Sequence, residues 1–297
     1  MLEVSQLEIS PFQPSQRTDL ERIAAVIFED ADAAATEGAA VLVAHWNGAP
    51  VGFATRSERR VHPHASSLTI GVLPEFRGRG VGSASWQAMT ATMPSDRVWR
   101  VGLSEDRNAG KAFLERRGFQ VMRQTWFAAL EAAPTTSLEP DLIWAQPPSR
   151  SVLSSLIRDH YIATHGINPP AELSLETWQE LFLDEALPDS VRLLTQGDVP
   201  VATAALAPSL DGLPNTLDVA FLSVRPDWHA RAQHLVPALL NELLDAARAH
   251  GATQVILEVD STDPVALHAL DQSTVRGACW LTLQTGIPDP PARTIVE

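Results

Sequence analysis

The sequence predicts an α/β fold of two tandem domains, each a mixed central sheet flanked by helices, and three observations predict it. The first is length: 297 residues suit two domains of about 150 residues better than one compact core. The second is composition, with 45% hydrophobic and 20% charged residues, ordinary for globular domains with real cores. The third is an internal repeat. Val41-Leu42-Val43-Ala44-His45 leads through Asn47-Gly48 into Pro50-Val51-Gly52-Phe53-Ala54, and Val191-Arg192-Leu193-Leu194-Thr195 leads through Gly197-Asp198 into Pro200-Val201-Ala202-Thr203-Ala204, 150 positions later. Val72-Leu73-Pro74-Glu75-Phe76 returns as Val224-Arg225-Pro226-Asp227-Trp228 at an offset of 152, and Asp106 with Ala112-Phe113 returns as Asp260 with Ala266-Leu267 at an offset of 154. Three matches in order, with slowly growing offset, read as two copies of one fold.

The first copy can be followed element by element. Residues 7–12 suit a strand, and residues 17–28 carry helical apolar spacing at Leu20, Ile23, Ala24 and Ile27. The Asn47-Gly48 hairpin follows, then a strand near 67–72, a helix over about 80–93, a strand at 98–103 and a helix at 108–117 that Gly118 stops. A last strand runs near 121–130. The order β-α-β-β-β-α-β-α-β mixes hairpins with one parallel crossover. Residues Glu131 to Pro140 form a polar linker bounded by proline, with Pro147-Pro148 just beyond it. The expected domains are therefore residues 1–135 and 141–297.

Charge is unevenly spread. The net charge is −14; residues 1–138 hold 14 Lys+Arg against 15 Asp+Glu, which leaves 8 against 21 in residues 139–297. The first half is nearly neutral with local arginines, and the second stands at −13. Such a balance argues against a nucleic-acid partner, since phosphates would be repelled over most of the surface. An arginine-bearing half could hold a polyanionic cofactor while an acidic half attracts a cationic acceptor; the alternative is a solvated acidic surface that serves solubility. The start of the chain shows no basic segment followed by an apolar run, no apolar run approaches the roughly 20 residues of a membrane span, and one cysteine, Cys279, leaves no internal disulfide and no cysteine metal cluster. The expectation is a cytoplasmic protein without a membrane or nucleic-acid partner and without a metal, a monomer or a homodimer.

The chemistry concentrates in Arg77-Gly78-Arg79-Gly80-Val81-Gly82. Glycines permit a tight turn and close backbone approach. The helix that begins there offers unpaired N–H groups to an anion. A pyrophosphate would be cradled by the amides of Arg77 to Ser83, with Arg77 and Arg79 supplying charge. The whole segment, a strand ending Val72-Leu73-Pro74-Glu75-Phe76 followed by the glycine loop and a helix, resembles the signature of the GNAT superfamily of N-acyltransferases. The resemblance implies acetyl-CoA as co-substrate, held by Val72, Leu73, Arg77, Gly78, Arg79, Gly80, Val81, Gly82 and Ser83. It also implies a thioester carbonyl polarised by the backbone N–H of Val72. A second stretch, Leu103 to Phe119 with its ending Phe113-Leu114-Glu115-Arg116-Arg117-Gly118-Phe119, is similar to the family's segment after the fifth strand, and adds Asn108 and Lys111 to the cofactor-binding set.

This sequence departs from the family in its catalytic groups. The slot of the usual tyrosine acid holds Leu114, the usual asparagine slot holds Arg107, and the slot of the glutamate base holds Ser66. The nearest titratable candidates for a base are His62 and His64, whose ordinary pKa near 6.5 suits proton abstraction at neutral pH; a backbone carbonyl or an ordered water could serve instead. In the second copy, the loop becomes His229-Ala230-Arg231-Ala232-Gln233-His234 and every glycine is gone. Asp218 and His268 occupy its glutamate and acid slots, either as relics or facing an acceptor. The pattern resembles tandem acetyltransferases of the mycothiol synthase type, here with the first copy as the working one. The expected function is transfer of an acetyl group from acetyl-CoA to a primary amine of a small, cationic acceptor. The alternative is a non-catalytic acyl-CoA-binding or regulatory protein.

Overall fold

The computed structural model describes residues 6–28, 39–93, 98–131, 138, 140–146, 149–271 and 273–286. Most of the expected linker and Pro147-Pro148 lie outside the described residues. By contacts the chain divides into two compact units: residues 1–102, 112–120 and 283–297 form the first, and residues 103–111 and 121–282 the second.

In the first unit the strands run in the order β1 (Leu7–Pro11), β2 (Ala40–Trp46), β3 (Ala49–Glu58), β4 (Ala65–Val72) and β5 (Val98–Ser104). All neighbours are antiparallel except β4 and β5, which are parallel. The β2–β3 hairpin turns on Asn47 and Gly48 at φ 51° and 82°, the left-handed pair that a two-residue turn needs to match strand twist. Helix α1 (Arg17–Phe28) buries the stripe read from the sequence, Leu20, Ile23, Ala24 and Ile27, against Val43, Phe53 and Leu73. Helix α2 (Val81–Thr90) buries Val81, Ser85 and Met89, and its Trp86 meets Trp99 and Phe119 edge-on at 5.7 and 5.6 Å. Helix α3 (Asn108–Glu115) ends as expected: Gly118 adopts φ 79° and Phe119 N–H reaches back to Leu114 O at 3.3 Å.

The second unit carries β6 (Gln120–Leu130), β7 (Leu142–Ala145), α4 (Arg150–Thr164), α5 (Leu175–Phe182), β8 (Arg192–Gln196), β9 (Val199–Pro208), β10 (Thr216–Val224), α6 (Ala232–Ala249), β11 (Gln254–Asp260), α7 (Pro264–Leu270) and β12 (Ser273–Gln284). Its strands are ordered β12-β6-β11-β10-β9-β8-β7. Helices α6 and α7 cover one face through Leu235, Leu239, Leu243, Val265 and Ala269. Helix α4 covers β8 to β10 on the other through Leu153, Leu156 and Ile157. No helix among the described residues is long and apolar enough to cross a membrane.

The repeat is visible in geometry. Both first hairpins carry a register shift at equivalent places, Ala44/His45 and Leu194/Thr195. The units nevertheless do not follow the segments 1–135 and 141–297. Strand β6, the last strand of the first sequence copy, pairs antiparallel with β11 of the second, from Ile256↔Ala129 to Asp260↔Thr125. The end of β12 is counted with the first unit: Thr285 N–H donates to Trp99 O at 3.0 Å, and the buried Arg100 guanidinium holds Gln284 Oε1 at 3.1 Å through Nε. A strand edge is satisfied by whichever edge lies beside it, and sequence order does not choose that partner.

Candidate functional site

Strand β4 builds the site through the alternation of its hydrogen bonds. Leu73 N–H donates to Val51 O at 2.9 Å, and Gly52 faces Val72 across the pair. In an antiparallel ladder, neighbours alternate in direction, so the N–H groups of Ile70 and Val72 point away from β3, toward the β5 side. There the parallel ladder covers only Ala65↔Val98, Ser66↔Trp99 and Ser67↔Arg100. Beyond Ser67 the two strands part. The open half of β4 therefore presents Val72 N–H to a wedge.

After Val72 the chain makes a 3₁₀ turn at Pro74–Phe76, and Gly78 and Gly80 take φ 74° and 87° before α2 begins. Both positions lie in the left-handed region that side chains avoid. After Arg77, the next N–H of the loop or helix with a backbone acceptor is that of Ala84, which donates to Gly80 O at 3.0 Å. The amides of Gly78, Arg79, Gly80, Val81, Gly82 and Ser83 have no acceptor among the described residues. Six donors at a helix N-terminus form an anion cradle. The sequence-based cradle began one residue earlier: Arg77 N–H is committed to Pro74 O at 3.2 Å, because the 3₁₀ turn closes on it.

The arginines are placed by neighbours that the loop motif does not reveal. Arg77 Nε donates to Val72 O at 3.1 Å, and the Arg79 guanidinium lies 5.5 Å from the Phe76 ring centroid and 5.8 Å from that of Trp46. Arg117 was not expected here. Its Nη2 donates to Ser83 Oγ at 2.8 Å, its Nη1 to Phe113 O at 2.7 Å, and it stacks 3.5 Å above the Phe113 ring. It thereby ties the end of α3 to the first turn of α2. Partial burial and then the neighbouring Arg116 lower its pKa from the ordinary guanidinium value. The family-like ending around Phe113 and Arg117 was the available signal.

The histidines considered as a base are not brought to this loop. His62 and His64 precede β4, at the end where β4 and β5 stay paired; eight residues of strand separate His64 from Val72, about 26 Å at 3.3 Å per residue. His62 is buried and His64 exposed. Ser66, also at that end, donates to Glu58 Oε1 at 2.9 Å. Leu114 is core. Asn108 and Lys111 are counted with the second unit, whereas the loop belongs to the first.

The second copy repeats the scaffold with the cradle closed. His229 Nε2 donates to Val224 O at 2.9 Å, as Arg77 does to Val72 O, and Arg231 stacks on Trp228 at 4.5 Å, as Arg79 does on Phe76. The 3₁₀ turn here runs from Pro226 to Arg231 directly into α6, and the Ala232 N–H, at the place of Gly80, is spent on His229 O. His229 also meets His160 Nδ1 at 3.3 Å, and His160 Nε2 lies 3.2 Å from Asp263 Oδ2. Burial pushes the Asp263 carboxyl up, but the His160 ring and the amides of Ala266 and Val265 outweigh it and hold its pKa below the ordinary value. Asp218 accepts Leu210 N–H at 2.8 Å and so closes a turn.

Residues 1–119 match the family model described as acetyltransferase (GNAT) family. Among solved structures, the chain is similar to a GCN5-related N-acetyltransferase from Sphaerobacter thermophilus, with 17% identity and a TM-score of 0.67 over 94% of this chain and 95% of that one. It is also similar to the GCN5-related glucosamine N-acetyltransferase region of a fungal multi-domain β-N-acetylglucosaminidase (12% identity, TM-score 0.67, 95% of this chain and 38% of that one). A tandem GNAT protein from the clavulanic acid biosynthesis pathway is similar at 13% identity and a TM-score of 0.58, over 94% of this chain and 98% of that one. At these identities the likeness concerns the fold. No curated protein matches the sequence.

Proposed function

We propose, for a chain whose first 119 residues belong to the GNAT acetyltransferase family and whose fold is that of tandem GNAT proteins, that it transfers an acetyl group from acetyl-CoA to a primary amine of a small, cationic acceptor, using the first copy alone. One observation carries this reading. Six unspent amides surround two left-handed glycines after β4, while the equivalent turn after β10 spends its donors on itself.

In this reading the pyrophosphate lies on the amides from Gly78 to Ser83, with Arg79 held over Trp46 and Phe76 to supply charge. The open N–H of Val72 polarises the thioester carbonyl, and the neutral amine attacks that carbon. A C–N bond forms, the C–S bond breaks, and CoA leaves as the thiol once it gains the proton that the amine loses. No side chain is assigned as base: the histidines considered for it stand at the far end of β4. The amine class draws support from the glucosamine N-acetyltransferase region of the fungal relative in fold and from the excess of acidic residues after residue 138.

The test is calorimetric titration of the full chain with acetyl-CoA, paired with an assay of free CoA across a panel of amines. One site per chain and amine-dependent CoA release are expected. Binding without any amine-dependent release would favour the non-catalytic alternative, and two comparable sites per chain would refute use of one copy.

A further inference from the structure

The sheet of the second unit has a face that the acyl-binding loop does not use. Glu258 lies directly opposite Phe127, and Asp260 opposite Thr125, across the β6–β11 pair. Arg123 Nη1 is 2.5 Å from Asp260 Oδ2, and Arg123 Nε approaches Thr282 Oγ1 on β12 at 3.4 Å. These side chains therefore share one face. Strand alternation adds Phe127, four residues from Arg123, Glu258, two from Asp260, and Trp280, two from Thr282. The other face of the same strands is packed, with Ala128, Leu257 and Val259 in the core beneath α6 and α7.

Helix α4 packs against this first face at Leu193, Ala205 and Phe221, on β8, β9 and β10. Over β11, β6 and β12 two large aromatics stay accessible, Phe127 at 42% and Trp280 at 44%. Phe127 stands on β6, which has β12 on one side and β11 on the other, a position where apolar side chains are ordinarily covered. Asp260 is already engaged by Arg123 and Thr125. Glu258 has no hydrogen bond or ion pair among the described residues. Its side chain is exposed, and the strands around it, with the charge of Asp260, push its pKa above the ordinary carboxylate value through desolvation first, with Arg123 acting in the opposite direction.

We propose that this face binds a small organic ammonium ion, with Glu258 countering its charge and Phe127 and Trp280 receiving its aliphatic body. An apolar ligand would leave Glu258 covered and uncompensated. An anion would meet Glu258 and a half of the chain with 21 acidic against 8 basic residues. An ammonium ion satisfies the carboxylate and is attracted by the ring faces as well. That this ion is the acceptor rests on the amine-transfer reading above; that the face binds such an ion does not.

The experiment is calorimetric titration of the full chain with spermidine, and separately with tetramethylammonium chloride, beside the variants Glu258→Gln and Trp280→Leu. Glu258→Gln should weaken spermidine binding about ten-fold or more, and Trp280→Leu about three-fold or more. Both should keep the parent affinity for acetyl-CoA, and Glu258→Gln should melt no lower than the parent at neutral pH, since the raised carboxyl pKa makes ionisation unfavourable in the fold. Unchanged spermidine affinity in Glu258→Gln, or no binding of either probe to the parent, would overturn the proposal. Probe binding that depends on Glu258 in a protein that releases no CoA with any amine would support this site and sink the acceptor reading instead.

Discussion

Replacing Gly80 by alanine isolates what the loop conformation contributes. Gly80 sits at φ 87° and ψ −7°, a region that costs an L-residue about 1–2 kcal/mol. A Cβ placed there meets nothing within 4 Å, so the penalty is backbone strain with no clash added. If the loop keeps its shape, the full chain should melt about 2–8 °C lower, at about 2–4 °C per kcal/mol for a protein of roughly this size. If the loop instead relaxes out of the left-handed conformation, stability recovers but the amides of Gly80 and Val81 turn away. The same energy then appears as acetyl-CoA binding weakened about 5- to 30-fold. Gly82→Ala is the control. Gly82 is helical, and its added Cβ would lie 3.5 Å from the Phe113 ring, an ordinary contact. Alanine there should hold or raise stability, by up to about 1 kcal/mol. Differential scanning calorimetry and acetyl-CoA titration on the same samples give both readouts. A Gly80→Ala protein that matches its parent in melting temperature and affinity would refute the reasoning.

Two further outcomes follow from packing. A fragment of residues 1–135 should show no cooperative thermal transition, because β6 would lose β11 and Arg100 would stay buried without Gln284; a sharp melt together with acetyl-CoA binding would contradict this. His160→Ala should destabilise the full chain by on the order of 3 kcal/mol at neutral pH, since it strips the ring from a carboxylate that is largely, though not fully, withdrawn from water. The Asp263 pKa is depressed in the fold, so its contribution exists above the ordinary carboxylate pKa and is lost as pH falls through the lowered value. Urea melts should therefore show the gap between parent and variant narrowing in acid, and a gap constant down to that range would exclude the Asp263–His160 contact as its source.

The sequence by itself determined everything that depends on neighbours along the chain. Apolar spacing located α1, and Asn47-Gly48 located the first hairpin. Gly118 marked the end of α3, and the loss of glycine at Ala230, Ala232 and His234 marked the second turn as closed. Each of these is a local conformational preference, written within a few residues of where it acts. The tertiary structure decided what depends on which distant groups meet. It handed β6 to β11, turned Arg117 onto Ser83, stacked Arg79 over Trp46, spent the Arg77 amide on its own turn, and left His62 and His64 a strand's length from Val72. It also set Glu258 opposite Phe127, two residues whose separation in sequence says nothing of their pairing. The physical reason is that strand edges and charged side chains are satisfied by whichever partner the fold brings close, and spacing along the chain cannot name that partner.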